Sequence, residues 1–273
     1  TPPDGPVPLL LDQPLKPRPG AAAVAELSWH GAYSPASGTI VQAGVQGTAR
    51  VAPGNSVTDW HHLQLAIAAA HRWGEWRAET QASLTGVGGA LNEPYRLLRW
   101  GASIDRIGFG CNHRVSVDIE MRTQSANTLA DSRSTGGGLN VQCPMPRVAD
   151  WTLGTALRVS TDMPLSSGRA GGIQRQWSLG FRAAGPVGTV GRVDLNLRLG
   201  RAIDAEGYNP LLQYNARRWL NPVQVSLEYA HPAPSLALSD GEFVAQMQAI
   251  RQDSNLPVFH YSSVGVFGGL RFD

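Results

Sequence analysis

Histidines and hydroxyls come first among the residues that could do chemistry. The stretch TDWHHLQ carries Asp59, His61 and His62, and His260 stands beside Ser262 and Ser263 near the other end of the sequence. A hydrolase needs a nucleophile, a base and an orienting group that converge in space, and nothing in this spacing brings them together. On a strand, His61 and His62 point to opposite faces, so at most one of them serves any single site. Neither the histidines nor the cysteines show the ligand spacing of a zinc site. The expectation is a chain that is not an enzyme and that holds no metal and no cofactor.

Cys111 and Cys143 are the only cysteines. Cys111 opens one inferred strand and Cys143 nearly closes the next, so a hairpin around SANTLADSRSTGG brings them together on one face. A bridge there closes a loop of about thirty residues, worth roughly 3 to 4 kcal/mol in the chain-entropy picture. It requires an oxidising compartment such as the periplasm.

Charge is the third resource, and alternation distributes it. In GRVDLNLRLG, Val193, Leu195, Leu197 and Leu199 alternate with Arg192, Asp194, Asn196 and Arg198. HRVSVDIEMR sets Val115, Val117, Ile119 and Met121 against Arg114, Ser116, Asp118, Glu120 and Arg122, and VQVSLEY repeats the pattern with Glu228. Taken over all such segments, one parity collects Arg77, Glu79, Arg114, Asp118, Glu120, Arg122, Arg182, Arg192, Asp194, Arg198 and Glu228. Opposite charges on neighbouring strands satisfy one another across a wall. The same residues would line a hydrated pore and tune what passes it.

The elements that hold these residues are strands throughout, because the period is two and no segment carries a helical period. The segments fall at about 21–29, 39–50, 60–71, 75–86, 95–107, 111–124, 136–144, 149–161, 172–183, 189–202, 211–220, 222–231, 241–251 and 261–272. That is about fourteen strands, with sixteen the alternative. Many reach the nine to eleven residues with which a tilted strand crosses a bilayer. Residues 1–20, rich in proline, read as an extended periplasmic segment or linker, and 21–273 as one β-structure.

Composition separates a membrane barrel from a soluble sandwich. Charged residues are 16% of the chain, against roughly 25% in soluble domains, and glycine numbers 31. The polar parity is built of Arg, Asp, Gln, Asn, Ser and Gly rather than the Lys and Glu of a solvated sandwich face. Trp29, Trp60, Trp73, Trp76, Trp151, Trp219, Tyr229 and Tyr261 sit near strand ends, where an interfacial girdle lies. The net charge of +2 is too small to imply nucleic acid. The expected architecture is an all-β, antiparallel up-and-down transmembrane barrel in the bacterial outer membrane, its apolar parity toward lipid. The links SANTLADSRST, TDMPLSSGRAG and AIDAEGYNPLL are placed by the strand list on the same side as both termini. In the last strand, Val264, Val266, Leu270 and Phe272 face lipid, and the strand closes the barrel against the first one near AAAVAELSW.

Two stretches, EGYNPLLQYNARRWLNPVQVSLEYAHP (206–232) and RQDSNLPVFHYSSVGVFGGLRF (251–272), resemble the C-terminal barrel of the surface lipoprotein assembly modifier family. The likeness lies in a DSN-Leu-Pro turn followed by an aromatic and a tyrosine, and in a last strand ending G-L-R-aromatic. It covers the last quarter of the chain. The resemblance implies a pore that moves a lipoprotein to the cell surface together with a periplasmic helical-repeat region. Its partners would be outer-membrane lipids, the barrel assembly machinery and the exported cargo. Exporters of polysaccharide share the architecture, and a diffusion porin is the simpler alternative.

Overall fold

In a computed structural model the described residues form thirteen strands: β1 (Ala23–Ala36), β2 (Thr39–Val51), β3 (Trp60–Trp73), β4 (Trp76–Gly89), β5 (Tyr95–Gly108), β6 (Cys111–Gln124), β7 (Ser132–Pro144), β8 (Thr152–Pro164), β9 (Gln174–Val187), β10 (Gly191–Gly207), β11 (Arg217–Pro232), β12 (Gly241–Ser254) and β13 (Tyr261–Phe272). The structure describes residues 23–52, 59–89, 95–124, 129, 131–145, 150–188, 190–232 and 241–272, without the side chains of 270–272. The segment 1–20 singled out in the sequence lies outside the described residues.

Each strand pairs antiparallel with its sequence neighbours in a single sheet ordered β1 to β13. This is the up-and-down sheet of a β-barrel. Its strands of 12 to 17 residues are long enough to cross a bilayer when tilted. Alternation is the cause: the ladders put Leu65 opposite Leu84, Leu98 opposite Met121 and Leu139 opposite Leu157, so apolar side chains line up across the sheet on one face. Tight turns make the hairpins possible. Two residues join β5 to β6, and both Phe109 (φ 55°) and Gly110 (φ 74°) lie in the left-handed region, as a type I′ turn requires.

The two faces differ in chemistry and in curvature. The apolar face leaves Leu63, Ile67, Val115, Val117 and Val159 more than half exposed, which in water would be a very large apolar surface. Thr85, Asp105, Asp118, Ser132, Gln174 and Asp204 are buried, and all six belong to the other parity. Polar side chains crowd one another only where a sheet curls toward them, so the polar face is concave. An apolar convex face and a polar concave face are the build of a bacterial outer-membrane barrel.

The strand count departs from fourteen at one place. The expected strands at 211–220 and 222–231 are one strand, β11, which runs straight through Asn221 and Pro222. Proline lacks a ladder donor and usually ends a central strand. Here the ladder with β12 continues through Pro222 and Gln252. The ladder with β10 carries no pairing between Leu199–Val223 and Ala202–Leu220. Opposite the proline ring stands Gly200, whose missing side chain makes room: a Cβ there would lie 3.2 Å from Pro222 Cγ. Residues 211–216 form a loop instead, with Gln213, Tyr214 and Asn215 all at positive φ.

Removing one strand corrects the sidedness. The sheet has a hairpin rim, where four of the six connections that follow odd-numbered strands are two or three residues long. It also has a loop rim, where the connections run from 90–94 to the nine residues of 165–173 and 208–216. The chain enters β1 at the loop rim and leaves β13 at the hairpin rim. The long connections therefore lie opposite the end of β13 rather than beside both termini. The expected closure is also corrected: among the described residues β13 pairs only with β12, and β1 only with β2.

Candidate functional site: the charged inner wall

The ladders place all eleven predicted lining residues on the concave face. Four groups of ion pairs hold most of them. On β4 to β6, Arg77 Nη2 donates to Glu79 Oε2 at 2.8 Å, and Arg114 lies 3.3 Å from the other oxygen of Glu79 and 3.2 Å from Asp105. Asp118 on β6 receives both arms of Arg158 on β8, one at 2.7 Å, with Arg99 at 3.8 Å on its other side. Arg182 Nε lies 3.0 and 3.1 Å from the oxygens of Asp194, to which Asn196 donates at 2.8 Å. Arg122 stands 3.8 Å from Glu120, and Glu228 faces Asp194 directly in the β10–β11 ladder.

The Arg158–Asp118 bridge spans two ladders and depends on what lies between. Gly136 of β7 pairs with Asp118 on one side and Ser160 on the other. A Cβ at Gly136 would meet Arg158 Nη2 at 2.7 Å. The glycine is the passage through which the guanidinium reaches Asp118.

Arg198 differs from these arginines. It donates to Ser178 Oγ at 3.3 Å, and among the described residues no carboxylate lies within ion-pair distance of it. It lines a recess of about 570 Å³ with Asn140, Gln142, Asn196, Gln224 and Ser226. A cation ringed by amides and hydroxyls can bind a carboxylate, a phosphate or sugar hydroxyls from a passing chain.

A second charged cluster sits at the loop rim, and the sequence reading missed it. Arg218 makes a two-pronged contact with Asp204, at 2.9 and 3.2 Å, and Gln174 donates to Asp204 at 2.8 Å. The guanidinium lies against the rings of both Tyr208 (4.4 Å) and Phe259 (4.7 Å), which meet each other edge to face at 4.9 Å. Asn255 caps the arrangement by accepting from the Trp219 amide and donating to the Arg217 carbonyl, both at 2.9 Å, while Leu256 is 1% exposed. The DSNLP turn and the EGYN segment, with Asp253 44 positions after Asn209 in sequence, are thus one packed unit that fixes the loop rim. The signal was the pairing of those two motifs with a buried-parity Asp204.

The cysteines form the expected disulfide, directly cross-strand on the convex face at the hairpin rim. Of the girdle aromatics, Trp73, Trp76, Trp151 and Tyr229 lie at the hairpin rim and Trp219 at the loop rim. Trp151 lies over Gly185, and the Tyr229 ring over Gly191, each filling the space of the absent side chain. Trp29 is mid-strand, and Trp60 and Tyr261 face inward, opposite Arg50 and Gln252. Trp29 leaves the girdle because it lies far from either rim, and Trp60 and Tyr261 because their parity turns them inward. Asp59 accepts the Ala52 amide at 2.7 Å. His61 faces out over Gly88, His62 faces in opposite Thr48, and His260 lies 3.5 Å from Asp253. The register sets the two histidines of TDWHHLQ on opposite faces. Among the described residues no group of three or more His, Cys, Asp or Glu side chains could hold a metal ion.

No family model matches this chain, and no curated protein matches it. Among solved structures it is similar to the siderophore receptor PirA from Pseudomonas aeruginosa, at 11% identity over 92% of this chain and 57% of that one, TM-score 0.38. It is also similar to OccAB3 of Acinetobacter baumannii, at 10% identity over 89% and 67%, TM-score 0.44. A third is a double mutant of the Serratia marcescens hemophore receptor HasR in complex with its hemophore HasA and heme, at 13% identity over 91% and 50%, TM-score 0.34. The chain spans about half to two thirds of the length of these proteins. Its own fold rests on the ladders and faces described above.

Proposed function

We propose that this chain is the membrane-embedded barrel of an outer-membrane translocation pore. It works with a periplasmic helical-repeat region to pass a lipoprotein or other macromolecule to the cell surface. The observation that carries the reading is the concave wall. Most of its arginines are spent on carboxylates of the same wall, so the wall is hydrated and nearly balanced in charge, while Arg198 keeps donors for whatever passes. Balance of this kind suits a long polar cargo better than selection of one ion sign. The likeness of 206–232 and 251–272 to the surface lipoprotein assembly modifiers supports the choice of lipoprotein. No catalytic step is assigned to the chain.

A polysaccharide is the second reading, favoured by the four amides around Arg198. Planar-bilayer recording and deletion in the source cell separate the possibilities. A translocator stays mostly silent by itself, and its deletion strands a lipoprotein inside the cell. Loss of surface polysaccharide points to the second reading, and steady large open steps from the chain alone point to a diffusion porin.

A further inference from the structure

The recess beside Arg198 owes its shape to missing side chains. Along one inward row of the ladders, Asn140 of β7, Ala156 of β8, Gly180 of β9, Arg198 of β10 and Gln224 of β11 stand opposite one another in turn. Ala156 and Gly180 leave the floor low between longer neighbours. The next row toward the hairpin rim sets Gln142, Gly154, Arg182, Asn196 and Ser226 in line, so a third small residue widens the floor. The resulting hollow of about 570 Å³ falls in the range of small-ligand sites.

Its charge is one-sided. Arg158, Arg182 and Arg198 all line it, and no aspartate or glutamate does. Arg158 is bound to Asp118 and Arg182 to Asp194, so those two are neutralised. Arg198 meets only the Ser178 hydroxyl among the described residues, which leaves one cation facing the hollow. Around it, Asn140, Gln142 and Gln224 make no side-chain hydrogen bond to another described residue, and each offers a carbonyl oxygen and two N–H donors. A second hollow of about 260 Å³ continues from the first, sharing Arg158, Ser178, Arg198 and Gln224 and reaching Tyr261. From β10 to β13 is three strand spacings, about 14 Å.

These groups discriminate among anions. A phosphate presents chiefly acceptors, so it answers Arg198 and leaves the amide oxygens facing negative charge. A sugar acid answers both: its carboxylate takes the guanidinium, and its hydroxyls donate and accept as the amides do. An acidic peptide brings the carboxylate too, but its backbone has one donor and one acceptor per residue, fewer than the hydroxyls of a sugar ring supply. The span to Tyr261, whose ring can take the apolar face of a sugar, fits a short oligosaccharide rather than a single ring.

We propose that the Arg198 recess binds an acidic oligosaccharide. The carboxylate of one sugar lies on Arg198, its hydroxyls on the amides of Asn140, Gln142 and Gln224, and a further ring against Tyr261. The assignment deepens the polysaccharide reading given above and rests on it for its place in export, whereas the binding itself needs only the folded wall.

Titration calorimetry on the full chain, folded in detergent and checked by heat-modifiable gel mobility, tests it. The probes are trigalacturonate, cellotriose as its uncharged counterpart, inorganic phosphate and a triglutamate peptide. Trigalacturonate is expected to bind more tightly than each of the others, and Arg198→Gln should weaken it about tenfold or more by removing a charge-assisted hydrogen bond. Gly180→Val should weaken it too, by raising the floor without touching a charge. The strand accepts that change, because a Cβ at Gly180 lies no closer than 3.7 Å to its neighbours. Arg175→Gln, which removes an arginine of β9 that points to the convex face with Ile203, should leave the affinity unchanged. Phosphate or triglutamate binding as tightly gives the recess to another class of ligand and overturns the proposal. Equal binding of cellotriose, binding unmoved by Arg198→Gln, or no binding to protein that runs as the folded band overturns it as well. Failure of the export reading is seen separately, as surface polysaccharide unchanged on deletion, and leaves these affinities where they are.

Discussion

Arg158 is the residue on which the inner wall depends most, because it bridges two strands that do not touch. Asp118 is 5% exposed, and removing its partner leaves a carboxylate with only the more distant Arg99. Breaking such a pair costs about 3 to 5 kcal/mol in a dry interior. Water in the lumen reduces that, and we expect a loss of about 1 to 3 kcal/mol for Arg158→Met, read by urea unfolding in lipid vesicles. Gly136→Val closes the passage and should cost a similar amount. Because both changes remove the same bridge, the double variant should lose clearly less than their sum; full additivity would mean that Gly136 has no part in it. Parity alone revealed in the sequence that all eleven charged residues share a face. It did not reveal which arginine meets which carboxylate, since that depends on register and on the glycines between. Asp204 and Arg218 escaped because Arg218 fell inside a stretch read as a separate short strand.

The disulfide acts between elements rather than at a site. It joins β6 to β7 across a sequence separation of 32 residues, a loop for which chain entropy gives roughly 3 to 4 kcal/mol. Cys111→Ser with Cys143→Ser should therefore lower the urea midpoint while leaving conductance unchanged. The strands themselves give a sharper contrast between faces. Leu157 on β8 is flanked by Leu139 and Leu179 at the middle of the convex face, whereas Ala156 faces the lumen. Leu157→Arg should cost about 2 to 4 kcal/mol of folding free energy in vesicles, and Ala156→Arg much less. Equal costs would mean that the convex face is not against lipid. Most strands were legible because a half-buried strand in lipid needs strict alternation. β11 was not, because LNP has the composition of a turn and the accommodating Gly200 lies on another strand. The aromatic positions failed in the same way: proximity to a strand end is visible in sequence, but the face is set by the register.

For the whole molecule the decisive matter is which rim faces outward. Barrels of this class put short turns in the periplasm and long loops outside. The hairpin rim holds the end of β13, the disulfide and most of the aromatic girdle; the loop rim holds the Arg218 cluster and the longest connections. Two exposed positions report on this directly. Tyr214 is fully exposed at the loop rim, and Phe109 is 97% exposed at the hairpin rim. In intact cells, Tyr214→Cys should react with a membrane-impermeant maleimide at once. Phe109→Cys should react only after the outer membrane is opened, although the two react alike in detergent. The reverse pattern would turn the loop rim toward the periplasm, where its long connections would meet the helical-repeat region instead of the surrounding medium. A translocator needs its partner-docking side and its exit side to be distinct, and this labelling decides which set of connections serves which.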